Sequence, residues 1–485
     1  MRYDAVVVGA GFGGLGAALR LAEGGAKVAL LEALNYPGGC ASTFRRAGYR
    51  FEAGATLFSG FGPGQLFARW IEAHGLDVQV DFEDPMVRFR TPDFELAVGP
   101  SRGPLRDQLV ALGVPAEGLD GFLGQQRKVA DALWGLLDDP ALLPPFGAAA
   151  LLRHVANSPR YLPLLPLLGK PLGAVLARHG LTEAEPLVAY LNGLCQITVQ
   201  CGVAEAEAPF ALGTMDYYHR GTGHVRGGIG RLAGALVDAV RGAGGEVHLA
   251  TRARGLRREH GGWAVETRQG VLHAEAVVAN LLPSAVQALL RDEAPLPALA
   301  RRSAAVATGW GAIMLYLVVA PPPDAGPGPI HLEGVGDPGA PFTEGNHVFA
   351  SVSGEADEGR CPPGLRTMTV STHVPIPSVR AGGGAYVARV QENMRRTLAA
   401  RAPEWVRDVR FELTASPRTF QRFTGRPEGH VGGVPRRAGL HHYRDLVPAP
   451  PLPGLYLVGD SVFPGQSTLA TALGGVKAAE RISSR

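Results

Sequence analysis

Within its first 32 residues the chain commits to a nucleotide-binding crossover. A β-branched apolar run, Ala5-Val6-Val7-Val8, ends in Gly9-Ala10-Gly11-Phe12-Gly13-Gly14, a G-x-G-x-x-G match. Leu15, Ala18, Leu19 and Ala22 follow at helical spacing. Gly24-Gly25 then breaks the helix, and a second strand, Lys27 to Leu31, ends in Glu32. Each part has a physical task. Gly9 permits the tight turn, Gly11 lets the backbone approach a pyrophosphate, and Gly14 lets the helix pack close to the strand. Free amides and the dipole at the helix N-terminus hold phosphates. Glu32, at nearly the usual spacing of about 20 residues, accepts hydrogen bonds from ribose hydroxyls. A second glycine cluster, Gly227-Gly228-Ile229-Gly230, has no strand before it and reads as a turn opening a helix. The chain therefore carries one dinucleotide unit and no separate NAD(P) domain.

An acid at the ribose position disfavours a 2′-phosphate, which leaves FAD or NAD. Pro37-Gly38-Gly39-Cys40-Ala41-Ser42-Thr43-Phe44 follows within a few residues, and Phe51 to Thr56 comes shortly after. Adjacent glycines there let the chain pass against a bulky planar group. Far away, Gly454 to Val458 forms another strand ending in Gly459-Asp460. Phe463-Pro464-Gly465-Gln466-Ser467 and a small-residue helix, Thr468 to Glu480, come next. One dinucleotide that uses both ends of the chain, with a flavin at its far end, explains this better than NAD.

Composition excludes other classes. With 485 residues, 46% hydrophobic and 19% charged, the chain can bury two or three cores and is not disordered. Four cysteines (Cys40, Cys195, Cys201, Cys361) cannot staple a chain of this length and show no zinc spacing, so they read as free thiols with no metal. Only four of the 47 basic residues are lysine (Lys27, Lys128, Lys170, Lys477), and the arginines scatter, which argues against nucleic acid. No leader segment is read before the first strand, and the expected location is cytoplasmic.

The stretches GAGFGGLGAALRLAEGG (9–25), PGGCASTFRRAGYRFEAGAT (37–56), ASPRTFQRFTGRPEGHVGG (415–433) and LYLVGDSVFPGQSTLATALGG (455–475) resemble the flavin-dependent phytoene desaturase and carotenoid isomerase superfamily. The nearest likeness is to carotenoid 3,4-desaturases, chiefly through PRTF-x-x-FTGR with GGCASTF. Weaker likenesses occur at 227–236, 277–283 and 349–364. The resemblance implies an α/β fold: a discontinuous Rossmann-like FAD-binding domain of glutathione-reductase/amine-oxidase type, an α+β substrate domain, and a helical lid or membrane-contact region. FAD is then expected against Gly9, Gly11, Phe12, Gly13 and Gly14 at the pyrophosphate. Glu32 and Ala33 would lie at the ribose, and Gly39, Cys40 and Ala41 along the cofactor. The backbone of Ala253, where the family usually has Val, would face the adenine. Gly459 and Asp460 would sit at the ribityl-phosphate end, with Thr468, Leu469 and Ala470 offering amides to the ring. The implied reaction adds a C-3,4 double bond to an acyclic or monocyclic carotenoid, with electrons leaving to oxygen or a quinone. The alternatives are redox-neutral carotenoid isomerisation and, ranked lower, a non-enzymatic isoprenoid-binding role.

The FAD-binding part is expected over 1–75, 222–290 and 453–485, and the substrate part over 76–221 and 291–452. Pro321-Pro322-Pro323 and Pro448 to Pro453 read as linkers. Within the apolar, proline-rich stretch 132–180 no run reaches the roughly 20 residues of a spanning helix. It reads as a lid over the substrate channel or as peripheral contact with the inner face of the cell membrane. A hydrocarbon substrate needs no polar constellation, so the catalytic group is hard to see. Asp216 and His219, with His224 nearby, are weak candidates for a base, and Arg418 and Arg422 for orienting a hydroxyl.

Overall fold

The computed structural model describes residues 2–484 except 55, 145, 292, 447 and 448, so Ala55, Pro145 and Pro448 lie outside the described residues. Two sheets organise it. In the first, β1 (Arg2–Val8) is central, because Ala5 to Val8 are buried on both faces, as a strand inside a parallel sheet must be. β2 (Val28–Leu31) pairs with it on one side and Val271–Ala279 on the other, both in parallel. Glu246–His248 continues the parallel sheet beyond β2, and Leu455–Leu457 joins Val271–Ala279. The antiparallel strands Gly255–Glu259 and Gly262–Glu266 complete it. Strands from the start, middle and end of the chain thus meet in one sheet.

Small residues in the flanking helices follow from close packing. α1 (Phe12–Glu23) lies against the C-terminal helix Thr468–Ser483. A Cβ on Gly16 would come within 2.5 Å of the Ala472 carbonyl oxygen, and one on Gly475 within 2.0 Å of that of Gly13. Only glycine admits so close an approach. The cluster Gly227 to Gly230 does open a helix, Ile229–Gly242.

The second sheet runs in the order Val409–Ala415, Trp310–Val319, Arg366–Pro375, His347–Val352, Ile330–Val335, Val87–Arg90, Glu95–Val98. Trp310–Val319 and Arg366–Pro375 pair over their full lengths. Alternation along Trp310–Val319 separates two faces. Ile313, Leu315 and Leu317 pack under the helix Ile376–Arg401 with Val390 and Met394, while Ala312, Met314 and Tyr316 face Phe51 and the nucleotide unit. Helices Ala116–Asp138, Glu185–Thr198 and Ala208–Thr214 share a third core with Val87 and Phe89. The architecture is the α/β nucleotide-binding fold with an α+β second region that the sequence led us to expect.

Candidate active site

A cavity of about 740 Å³ runs between the two sheets, within the usual range for a large-ligand site. At one end it is lined by Gly9, Gly11, Phe12, Gly13, Glu32 and Ala33, and by Thr251, Arg252 and Ala253, the Thr251 amide donating to the Glu32 carbonyl oxygen at 2.7 Å. Gly38, Gly39, Cys40, Ala41, Gly459 and Asp460 carry the lining onward to Thr468, Leu469 and Ala470. The wall then becomes apolar, with Trp134, Leu137, Ile197, Tyr217, Met314 and Phe349 among its residues.

The glycine end has the features of an anion cradle. Gly9 adopts φ +97°, a region closed to most side chains, and turns the chain from β1 into α1. The α1 N-terminus has no side-chain cap and no acid in its first turn, so its amides and dipole are free to meet phosphate. Gly14 is the exception among the expected contacts. It does not line the cavity; a Cβ there would lie 1.9 Å from the Gly9 carbonyl oxygen, so this glycine serves helix–strand packing.

Glu32 is 8% exposed, and its two carboxylate oxygens accept the Ala10 and Leu34 amides, each at 2.8 Å. Burial pushes this carboxyl above its ordinary value, opposed by those amides. The remaining lone pairs suit a diol. At the other end, Asp460 accepts from Arg426 Nη2 at 2.7 Å, which orients the carboxylate at the cavity wall. The Thr468 hydroxyl is buried with no hydrogen-bond partner, an open polar atom in the cavity lining. Burial raises the Cys40 thiol, which is the environment of an unreactive cysteine. These groups fit FAD: amides for its diphosphate, a carboxylate for its ribose, and small residues where its ring would pass.

Asn280 was not singled out in the sequence. It follows the strand Val271–Ala279, whose last four residues are buried, at the sheet's crevice, where ligands of such folds collect. A Cβ on Gly11 would meet its Nδ2 at 2.6 Å, and one on Gly13 or Gly459 its Oδ1 at 2.8 Å, so its amide sits at the junction of both glycine loops. His373 and Ser371, on Arg366–Pro375, also line the cavity. Burial pushes His373 down to about 4, so it is neutral near pH 7, and its Nδ1 lies 3.3 Å from Gln196 Nε2. Sequence periodicity carries no signal for these, because strand pairing across the second sheet puts them there.

Neither sequence-derived base candidate reaches the cavity. Asp216 is fully buried and accepts from Arg102 Nε at 2.9 Å, Arg220 Nε at 2.8 Å and Gln126 Nε2 at 2.9 Å. A carboxylate so paired is structural. His219 Nδ1 lies 2.8 Å from the Gly99 carbonyl oxygen and lines a separate surface pocket with Arg102. His224 is paired with Asp357 at 2.8 Å, and Arg418 and Arg422 are absent from the lining.

A family model described as "Flavin containing amine oxidoreductase" matches residues 12–483. The chain is 26% identical over 511 aligned residues to the chloroplastic prolycopene isomerase of Arabidopsis thaliana, covering 99% of this chain and 82% of that one. It is 27% identical to the neurosporene-forming phytoene desaturase of Cereibacter sphaeroides, over 57% of this chain and 52% of that one. Among solved structures, an oxidoreductase from Methanosarcina mazei superposes with a TM-score of 0.67 at 19% identity, covering 99% of this chain and 100% of that one.

Proposed function

This chain belongs to the flavin containing amine oxidoreductase family and is an FAD-dependent oxidoreductase, and from that premise we propose that it dehydrogenates a carotenoid. The observation that carries the reading is a cavity in which a nucleotide cradle runs into an apolar wall. An elongated hydrocarbon and the far end of FAD would share that space. Bound FAD supplies a two-electron hydride acceptor. The chain's own part is positional. Gly9, Gly11 and Gly13 with the α1 amides would hold the diphosphate, Glu32 the ribose, and the Asp460–Arg426 pair the opposite end. Trp134, Leu137, Met314 and Phe349 exclude water from the reacting carbons.

The bond we assign is C-3,4 of an acyclic or monocyclic carotenoid, with oxygen or a quinone as final acceptor. The support is the PRTFQRFTGR stretch, whose Phe420, Thr424, Gly425 and Arg426 line the cavity. Redox-neutral cis–trans isomerisation is the second reading, favoured by the isomerase relatives that align over nearly the whole chain. Mass spectrometry of product extracted after aerobic incubation separates them. Desaturation lowers the mass by two hydrogens and shifts absorption to longer wavelength. An altered cis/trans ratio at unchanged mass, across acyclic and monocyclic carotenoids alike, would replace the first reading with the second.

A further inference from the structure

Beyond position, the chain supplies one chemical group: we infer, resting on the dehydrogenation reading, that His373 is the catalytic base that receives the substrate's proton. Loss of two hydrogens divides unequally. One C–H bond gives up its hydrogen with the electron pair, as a hydride to bound FAD. The neighbouring C–H bond gives up a bare proton, and its electron pair becomes the new π bond. FAD is thereby reduced by two electrons, and one proton must be received inside a largely apolar cavity.

The lining leaves few receivers. Its arginines are already protonated. Glu32 and Asp460 belong to the nucleotide stretch, the first held by the Ala10 and Leu34 amides and the second by Arg426. Burial pushes up the Cys40 thiol, and it pushes the Tyr217 hydroxyl up to about 12. Tyr217 donates to the Leu57 carbonyl oxygen at 3.0 Å, and Tyr218 to Glu333 Oε1 at 3.0 Å. That leaves His373, the one imidazole among the described lining residues. In the second sheet His373 pairs with Ala312 and Ser371 with Met314, and all four line the cavity, so the ring stands on the sheet face that floors it. Its strand neighbours Thr372 and Val374 are buried, whereas His373 is open toward the cavity. In the neutral ring the Gln196 amide donates to Nδ1 at 3.3 Å. Turned by half, the same amide offers its oxygen to a protonated Nδ1, so Gln196 can hold the ring before and after it takes the proton.

The surroundings make that cation transient. His347 is the titratable group that acts on His373, and it is itself held by Glu333 at 3.0 Å. Trp310, on the neighbouring strand with its ring centroid 6.3 Å away, carries no charge. Glu344, whose amide donates to the His373 carbonyl oxygen at 2.8 Å, turns its carboxylate to the Tyr386 hydroxyl. Burial therefore keeps the ring neutral at rest and favours release of the proton afterwards. A weak base suffices here, because hydride loss leaves a cationic carbon whose neighbouring proton is strongly acidic.

Anaerobic single turnover of FAD-loaded protein with an acyclic carotenoid, followed by product mass and flavin absorbance, tests the assignment. Such a substrate has no ionisable group, so a pH limb belongs to the protein. Wild type is expected to lose rate as pH falls toward about 4, where His373 becomes charged and cannot accept. His373→Asn and His373→Ala are expected to form desaturated product about 100-fold more slowly or worse, with no acid limb. Flavin absorbance of each preparation reports that the variants are folded and loaded. Added imidazole should restore His373→Ala by about tenfold or more by filling the vacated space, an effect that a merely packing residue would not show. Desaturated product from His373→Asn at the wild-type rate, an acid limb that persists in it, or a slow His373→Ala that imidazole leaves unmoved would overturn the assignment and leave the dehydrogenation reading intact. Wild-type product at unchanged mass would overturn both.

Discussion

Gly11→Val is expected to purify folded and colourless, with the ratio of flavin to protein absorbance below about a tenth of wild type. The expectation is specific because Gly11 is not required by its backbone: it precedes α1 in an ordinary extended conformation, φ −71° and ψ 171°. What the glycine provides is room. A Cβ there points at Asn280 Nδ2, 2.6 Å away, and that amide is the end of a side chain able to shift. The fold therefore tolerates valine, but the added methyls occupy the space above the α1 amides where the diphosphate would lie. Loss of a contact to a charged group costs about 1.5–3 kcal/mol, and steric exclusion adds to it, so a tenfold loss of bound FAD is a modest forecast. The melting temperature of the variant should match that of wild type stripped of flavin. By contrast, Gly14→Val would place a Cβ 1.9 Å from the Gly9 carbonyl oxygen and should damage the fold itself.

Asp216→Ala is expected to separate a structural carboxylate from a catalytic one. Its removal leaves Arg102 and Arg220, about a third and a quarter exposed, without their shared partner, at a cost of about 3 kcal/mol. For a chain of this size that corresponds to a fall in melting temperature of about 3 °C. FAD content and product mass should be unchanged at temperatures where the variant remains folded, since Asp216 does not line the cavity. Burial pushes the Asp216 carboxyl up, but the hydrogen bonds from Arg102, Gln126 and Arg220 outweigh it and hold the group below its ordinary value. A carboxyl depressed in the folded state stabilises above its unfolded pKa, and that contribution fades as pH falls through the folded one. The gap in melting temperature between wild type and variant should therefore be full near neutrality and narrow under acid conditions.

The nucleotide unit was legible in the sequence because its determinants are local. Ala5 to Glu32 encode a strand, turn, helix, strand and acid in unbroken order, and the folded chain places Gly9, Gly11, Gly13 and Glu32 around one end of the cavity. Gly459-Asp460 could be joined to that unit only because it repeats the same strand–glycine–helix grammar. The substrate wall was not legible. His373 and Ala312 face the cavity because Arg366–Pro375 pairs with Trp310–Val319 in one register, and pairing partners about 60 residues apart leave no periodic trace. Asp216 misled for the same reason: its titratable carboxyl was visible, but the Arg102 that neutralises it lies 114 residues away. In the stretch 132–180, Leu133, Trp134, Leu136, Leu137 and Leu143 supply cavity wall, as a lid over the channel would, whereas Phe146, Leu151, Leu152, Val155, Leu162 and Leu165 are exposed.

The most direct test of the central claim, that the apolar wall serves an oxidation driven by bound FAD, is an anaerobic single-turnover stoichiometry. FAD-loaded protein, mixed with excess acyclic carotenoid and no added acceptor, is expected to yield product lighter by two hydrogens in an amount equal to its FAD, and then to stop. Admitting oxygen or a quinone should restart it. Product that keeps accumulating past that amount without an acceptor, at unchanged mass, would contradict the account and mark the chain as a redox-neutral isomerase.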